Sequence, residues 1–84
     1  MIEKTVKVKL SEGLESRMAA EFVQVACQYK SEIHVNMDDK TVNAKSIMGM
    51  MMLGMVENEN VNLQVQGIDE EEAIAALTRF LSAE

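Results

Sequence analysis

A serine stands at position 46, where a lysine meets a methionine-rich apolar run, Lys45-Ser46-Ile47-Met48-Gly49-Met50-Met51-Met52-Leu53. At the first position before a helix, a serine oxygen accepts a bond from the free N–H groups of the first turn and contributes roughly 1 kcal/mol. A phosphate ester on that oxygen would meet the same N–H groups and the positive end of the helix dipole. The capping role and the phosphate-acceptor role are compatible. Thioethers are flexible and polarizable, which suits a docking surface. A switchable anion beside a soft apolar patch is the chemistry of a regulated docking site.

Other reactive residues are few. Cys27 is the only cysteine, so no internal disulfide framework can form, and helical periodicity makes it a core residue. His34 is the only histidine and falls in a strand pattern on the face expected to be wet. One cysteine and one histidine are too few for the usual zinc ligand sets. Glu70-Glu71-Glu72 follows Asp69 at a helix start, where acidic residues suit the dipole, so the run reads as a helix opening rather than a metal site. No nucleophile–base pair and no metal set suggests an enzyme, and no cofactor is implied.

The chain of 84 residues, 48% hydrophobic and 26% charged, is expected to fold as a single domain over residues 1–84. A formal charge of −6 and the lack of a basic stripe argue against direct contact with nucleic acid. No apolar run approaches the roughly 20 residues that span a bilayer. The alternating, charged start MIEKTVKVKL is unlike a secretory signal, so a cytoplasmic location is expected.

The elements that must position Ser46 follow from hydrophobic period. Ile2 to Leu10 alternates, with Ile2, Val6, Val8 and Leu10 on one face, which predicts a strand ending in a turn at Ser11-Glu12-Gly13. Ser16 to Tyr29 takes a helical period, with Met18, Ala19, Phe22, Val23, Ala26 and Cys27 on its apolar face. Glu32 to Met37 and Thr41 to Ala44 read as a hairpin around Asp38-Asp39. Ser46 to Leu53 reads as a short helix stopped at Gly54, and Asn58 suits a left-handed turn. Val61 to Gln66 is a further strand. Asp69 and Glu72 read as a capping-box pair opening a last helix, with Ala73, Ile74, Leu77, Phe80 and Leu81 as its buried stripe. The order βαββαβα, with one apolar face per strand, predicts an α+β open-faced β-sandwich: a four-stranded antiparallel sheet with three helices on one face. On the two-turn helix, the period places Ile47, Met50, Met51 or Leu53 inward and leaves Met48 and Met52 exposed.

Two segments together resemble a known family. Gly13-Leu14-Glu15-Ser16-Arg17-Met18-Ala19 is similar to the phosphocarrier HPr signature G-[LI]-H-A-R-P-A, and Val42-Asn43-Ala44-Lys45-Ser46-Ile47-Met48-Gly49 is similar to that family's regulatory serine motif. Spacing, element order and length agree over essentially the whole chain. The family's phosphocarrier histidine corresponds to Glu15 here, and the proline after the arginine to Met18. A carboxylate has no imidazole nitrogen to take a phosphoryl group reversibly from enzyme I. The resemblance is therefore nearest to the catabolite-repression HPr-like branch that lacks the active histidine, although glutamine is usual there and Glu15 departs from it.

That resemblance implies phosphorylation of Ser46 by the ATP-dependent HPr kinase/phosphorylase. It implies that the phosphorylated form binds catabolite control protein A as a corepressor. Implied contacts with partners are Arg17, Lys45, Ser46, Ile47, Met48, Met51 and Met52. Relatives can also dimerise by exchanging the first strand. Arg17 carries a positive charge at a helix start, which the dipole disfavours, and it is expected to pair with Glu15 for about 0–1 kcal/mol. Glu15 itself could act as a fixed negative charge in place of a phosphohistidine. The alternatives left open are a phosphocarrier of the sugar phosphotransferase system and a diverged HPr-like interaction module.

Overall fold

The computed structural model describes residues 1–9, 16–54 and 58–82, with Ser16 in backbone only. The elements are β1 (Ile2–Lys7), α1 (Ser16–Cys27), β2 (Glu32–Met37), β3 (Lys40–Asn43), α2 (Ile47–Leu53), β4 (Asn60–Gln66) and α3 (Glu70–Ser82). The strands make one antiparallel sheet in the order β1-β4-β2-β3. Three helices cover one face, giving the expected open-faced α+β sandwich. Leu10 and the turn at Ser11-Glu12-Gly13 lie outside the described residues.

Period-two alternation decides which face is covered. Ile33, Val35 and Met37 of β2 and Val61, Leu63 and Val65 of β4 are buried under the helices. They meet as opposite pairs, Ile33 with Val65 and Val35 with Leu63. The other face is a polar ladder: Asn36 Nδ2 donates to Asn62 Oδ1 at 3.1 Å, and Gln64 Nε2 donates to Glu3 Oε2 at 2.8 Å. β1 adds Val6 to the core opposite Val61. Beyond β1 the backbone stays tied down, since Val8 exchanges bonds with Asn58 and Glu59 and Lys9 N donates to the Leu81 carbonyl. The β2–β3 turn uses Asp38 at φ 56°, and Asn58 takes φ 73°, both in the left-handed region that these side chains tolerate.

α1 buries Ala19, Phe22 and Ala26, and α3 buries Ala73, Ile74, Leu77 and Leu81. Phe22 meets Phe80 edge to face, with ring centroids 5.6 Å apart, which joins the two helices. Cys27, expected in the core, is exposed. It follows the last buried position of α1 by one residue, a rotation of about 100° per residue that carries its side chain outward where the helix ends.

The start of α3 also differs from expectation. Asp69 does not pair with Glu72. Its carboxylate accepts the N–H groups of Lys30 at 2.8 Å and Ser31 at 2.9 Å and the Ser31 hydroxyl. Three donors from the loop after α1 outcompete the cap. Glu70 instead accepts the Gly67 N–H at 3.1 Å. Gly67 sits at φ 157°, and a Cβ there would lie 2.6 Å from Ser31 Cα, so glycine lets the two loops close on each other. Ser31 is buried at this contact.

The Asp69 carboxyl is held below its ordinary value of 3.8, first by the Ser31 hydroxyl and then by the Lys30 N–H, against a smaller opposing effect of burial. A folded value below the unfolded one stabilises the fold above 3.8 and loses that contribution as pH falls through the folded value. Asp69→Asn should therefore flatten the acid side of a plot of thermal midpoint against pH. An unchanged acid limb would show that the loop clamp is not linked to this proton.

Candidate functional site

Ser46 lies in the turn between β3 and α2 with an extended backbone, φ −105° and ψ 115°. That geometry lets its side chain turn back over the helix it precedes. The Oγ accepts the Gly49 N–H at 3.1 Å, so the expected cap is present. The approach is built by Asn43, whose Oδ1 accepts the Lys45 N–H at 2.8 Å while its carbonyl accepts the Ser46 N–H at 3.0 Å. An asparagine side chain that mimics a backbone turn favours this bend. Gly49 keeps the cap uncrowded: a Cβ there would stand 3.3 Å from Val42 Cβ and 3.4 Å from Ser46 Oγ. At the far end, Gly54 closes α2 in the left-handed region at φ 66°.

A helix of 7 residues offers the core one line of side chains, and Met50 and Leu53 occupy it, 0% and 1% exposed. Met48 and Met52 are out, as the period predicted, at 71% and 74%. Ile47 and Met51, which the period allowed inward, are also exposed, at 43% and 49%. The reason is angular: Met50 and Leu53 repeat the Ser46 position at i+4 and i+7, and Ile47 and Met51 lie one residue past that line. Ile47, Met48, Met51 and Met52 thus share the outer surface of α2 beside Ser46. So many apolar groups on one short helix exceed the scattered exposure normal for a surface.

Lys45, half-buried, is not a free cation. Its Nζ donates to the Tyr29 carbonyl at 2.7 Å, which ties the start of α2 to the segment leaving α1. Arg17 is exposed at the other end of α1, and its Nε lies 3.7 Å from Glu21 Oε1, one helical turn on. The expected Glu15 partner lies outside the described residues. His34 is half-buried mid-strand on the polar sheet face, opposite Gln64 and Asn43, away from any helix start. The structure therefore gathers Lys45, Ser46, Ile47, Met48, Met51 and Met52 in one stretch. Arg17 makes no hydrogen bond to Ser46 among the described residues. The bonds made by Asn43 and by the Tyr29 carbonyl were not foreseen. Asn43 alone had a sequence cue, an asparagine at the end of a strand three residues before a capping serine.

Four antiparallel strands beneath three helices, with a serine-capped helix among the three, define a class of small open-faced α+β sandwich. The family model for the PTS HPr component phosphorylation site matches residues 2–83, and the chain belongs to the HPr family. The HPr-like protein Crh of Halalkalibacterium halodurans is 49% identical over 84 residues, covering all of both chains. A crystal structure of HPr-C-His from Thermoanaerobacter tengcongensis superposes with a TM-score of 0.93 at 48% identity, over 99% of this chain and 93% of that one. The crystal structure of Crh from Bacillus subtilis, a dimer with a swapped domain, superposes with a TM-score of 0.79 at 43% identity, over 100% of this chain and 97% of that one.

Lys45→Met keeps the aliphatic stem and removes the ammonium that holds the Tyr29 carbonyl. Urea unfolding should register a loss of about 1–2 kcal/mol, since hydrogen bonds to charged groups are the stronger kind. Amide exchange at residues 28–31 should quicken with it. Unchanged stability and exchange would show that the tether contributes nothing in solution.

Proposed function

We propose that this chain is an HPr-like regulatory phosphoprotein with no catalysis of its own. Ser46 takes a phosphoryl group from ATP through HPr kinase/phosphorylase, and the phosphorylated form binds catabolite control protein A as a corepressor in carbon catabolite repression. The observation that carries this reading is the juxtaposition at α2: a serine hydroxyl held at the helix start, with four exposed apolar side chains directly after it. A phosphate adds roughly −1.5 to −2 charges at the favourable end of the dipole, so α2 need not unfold. What changes is the surface a partner meets: a new dianion next to a methionine patch.

Ile47, Met48, Met51 and Met52 supply the apolar contact, and Arg17 extends the surface from the start of α1. Lys45 belongs to the same stretch; with one donor bond used on Tyr29, its ammonium has two more to offer. The net charge of −6 fits a protein that acts on transcription through a regulator rather than on DNA. A cytoplasmic location follows from those partners. β1 is an edge strand, and its exchange between two copies would give a homodimer like the swapped dimer of the Bacillus subtilis relative.

Glu15 takes the position of the carrier histidine, so the chain is not proposed as a histidine phosphocarrier. Incubation with the kinase and ATP should add one phosphate by intact mass to the parent protein and none to Ser46→Ala. A Ser46→Ala protein carrying the same phosphate would refute the site. Label from phosphoenolpyruvate passing through enzyme I to this chain would restore the carrier reading.

Glu15 is further proposed to stand in as a fixed negative charge. Glu15→Gln should then bind catabolite control protein A more weakly than the parent when both are phosphorylated at Ser46. Equal affinities would dispose of that role.

A further inference from the structure

Eight methionines are present in 84 residues, and three of them, Met48, Met51 and Met52, are spaced i, i+3 and i+4 on the outer face of α2. That spacing puts their side chains side by side. These residues are 71%, 49% and 74% exposed, whereas Met50 in the same helix is 0% and Met37 in β2 is 7%. A thioether has no proton to lose, so access to solvent decides which sulfur an oxidant reaches first. We propose that Met48, Met51 and Met52 form a reversible oxidation site, with peroxide as the oxidant, and that their sulfoxides switch off docking at this surface. The proposal rests on the docking role assigned above to the same residues.

In the step itself, a sulfur lone pair takes one oxygen from hydrogen peroxide. The O–O bond breaks, an S=O bond forms, and water leaves. Sulfur is oxidised by two electrons and peroxide is reduced by two. The product is a polar, chiral side chain where an apolar one stood. A partner would then have to desolvate a strong acceptor to make the same contact, which should weaken binding about tenfold for an unmatched group. Met50 and Leu53 hold α2 on the core and are out of the oxidant's reach, so the helix survives the change. Methionine sulfoxide reductases supply the return step.

The test uses a Cys27→Ser background, because Cys27 is also exposed. Under limiting peroxide, peptide mass spectrometry should find sulfoxide early on Met48 and Met52, as on the exposed Met1, next on Met51, and last on Met37 and Met50. The Ser46-phosphorylated, oxidised protein should bind catabolite control protein A about tenfold more weakly. Reductase treatment should restore it. A variant with Met48→Leu, Met51→Leu and Met52→Leu, which still carries the exposed Met1, should keep its affinity through the same treatment. Undiminished binding by the sulfoxide form, or equal loss in the leucine variant, would overturn the proposal.

If the unoxidised phosphoprotein itself fails to bind the regulator, the docking reading falls and the oxidation site is judged separately. The parent should then elute earlier from a hydrophobic-interaction column after peroxide, and by clearly more than the leucine variant, which keeps only the exposed Met1 among these exposed methionines. Unchanged elution of the parent, or Met50 oxidised in step with Met48, would overturn it.

Discussion

A two-turn helix can send only one line of side chains into a core. α2 sends Met50 and Leu53, and every other apolar residue it carries must face water. Much of the surface chemistry follows from that limit. The sheet offers α2 an apolar face, the two inward side chains orient it, and the orientation sets which methionines are presented. With fewer apolar residues α2 would be an unremarkable surface helix.

The tertiary bonds around α2 act on its position rather than its stability alone. Lys45 reaches the Tyr29 carbonyl, and a residue or two further on Asp69 holds the N–H groups of Lys30 and Ser31. One loop, residues 28–31, is therefore held on one side by the start of α2 and on the other by the start of α3. Charge-assisted bonds of this kind are stronger than neutral ones and fix geometry at a modest energetic cost. The result is a Ser46 hydroxyl placed by its neighbours at the start of α2.

Much of the architecture was legible in the chain because periodicity reports burial directly. The strands of β2 and β4 alternate over their full length, and both faces came out as read. Element ends were less legible. β3 runs from Lys40 to Asn43 where Thr41 to Ala44 was expected, since a hairpin register is set by the turn and not by a short apolar pattern. Cys27 and Asp69 were misread for a related reason. Cys27 lies where a helix runs out of neighbours, and Asp69 has local and long-range donors competing for one carboxylate.

Sequence alone determined that Ser46 would cap a helix and that a methionine run would follow it. Those are matters of residue type and near-neighbour spacing, which the chain carries by itself. Tertiary structure decided which sulfur atoms face out, that Ile47 and Met51 join them, and that Lys45 is anchored to Tyr29. Each of those depends on where a second element lies in space. A period of 3.6 names the residues on each side of a helix, but only the packed sheet says which side is in.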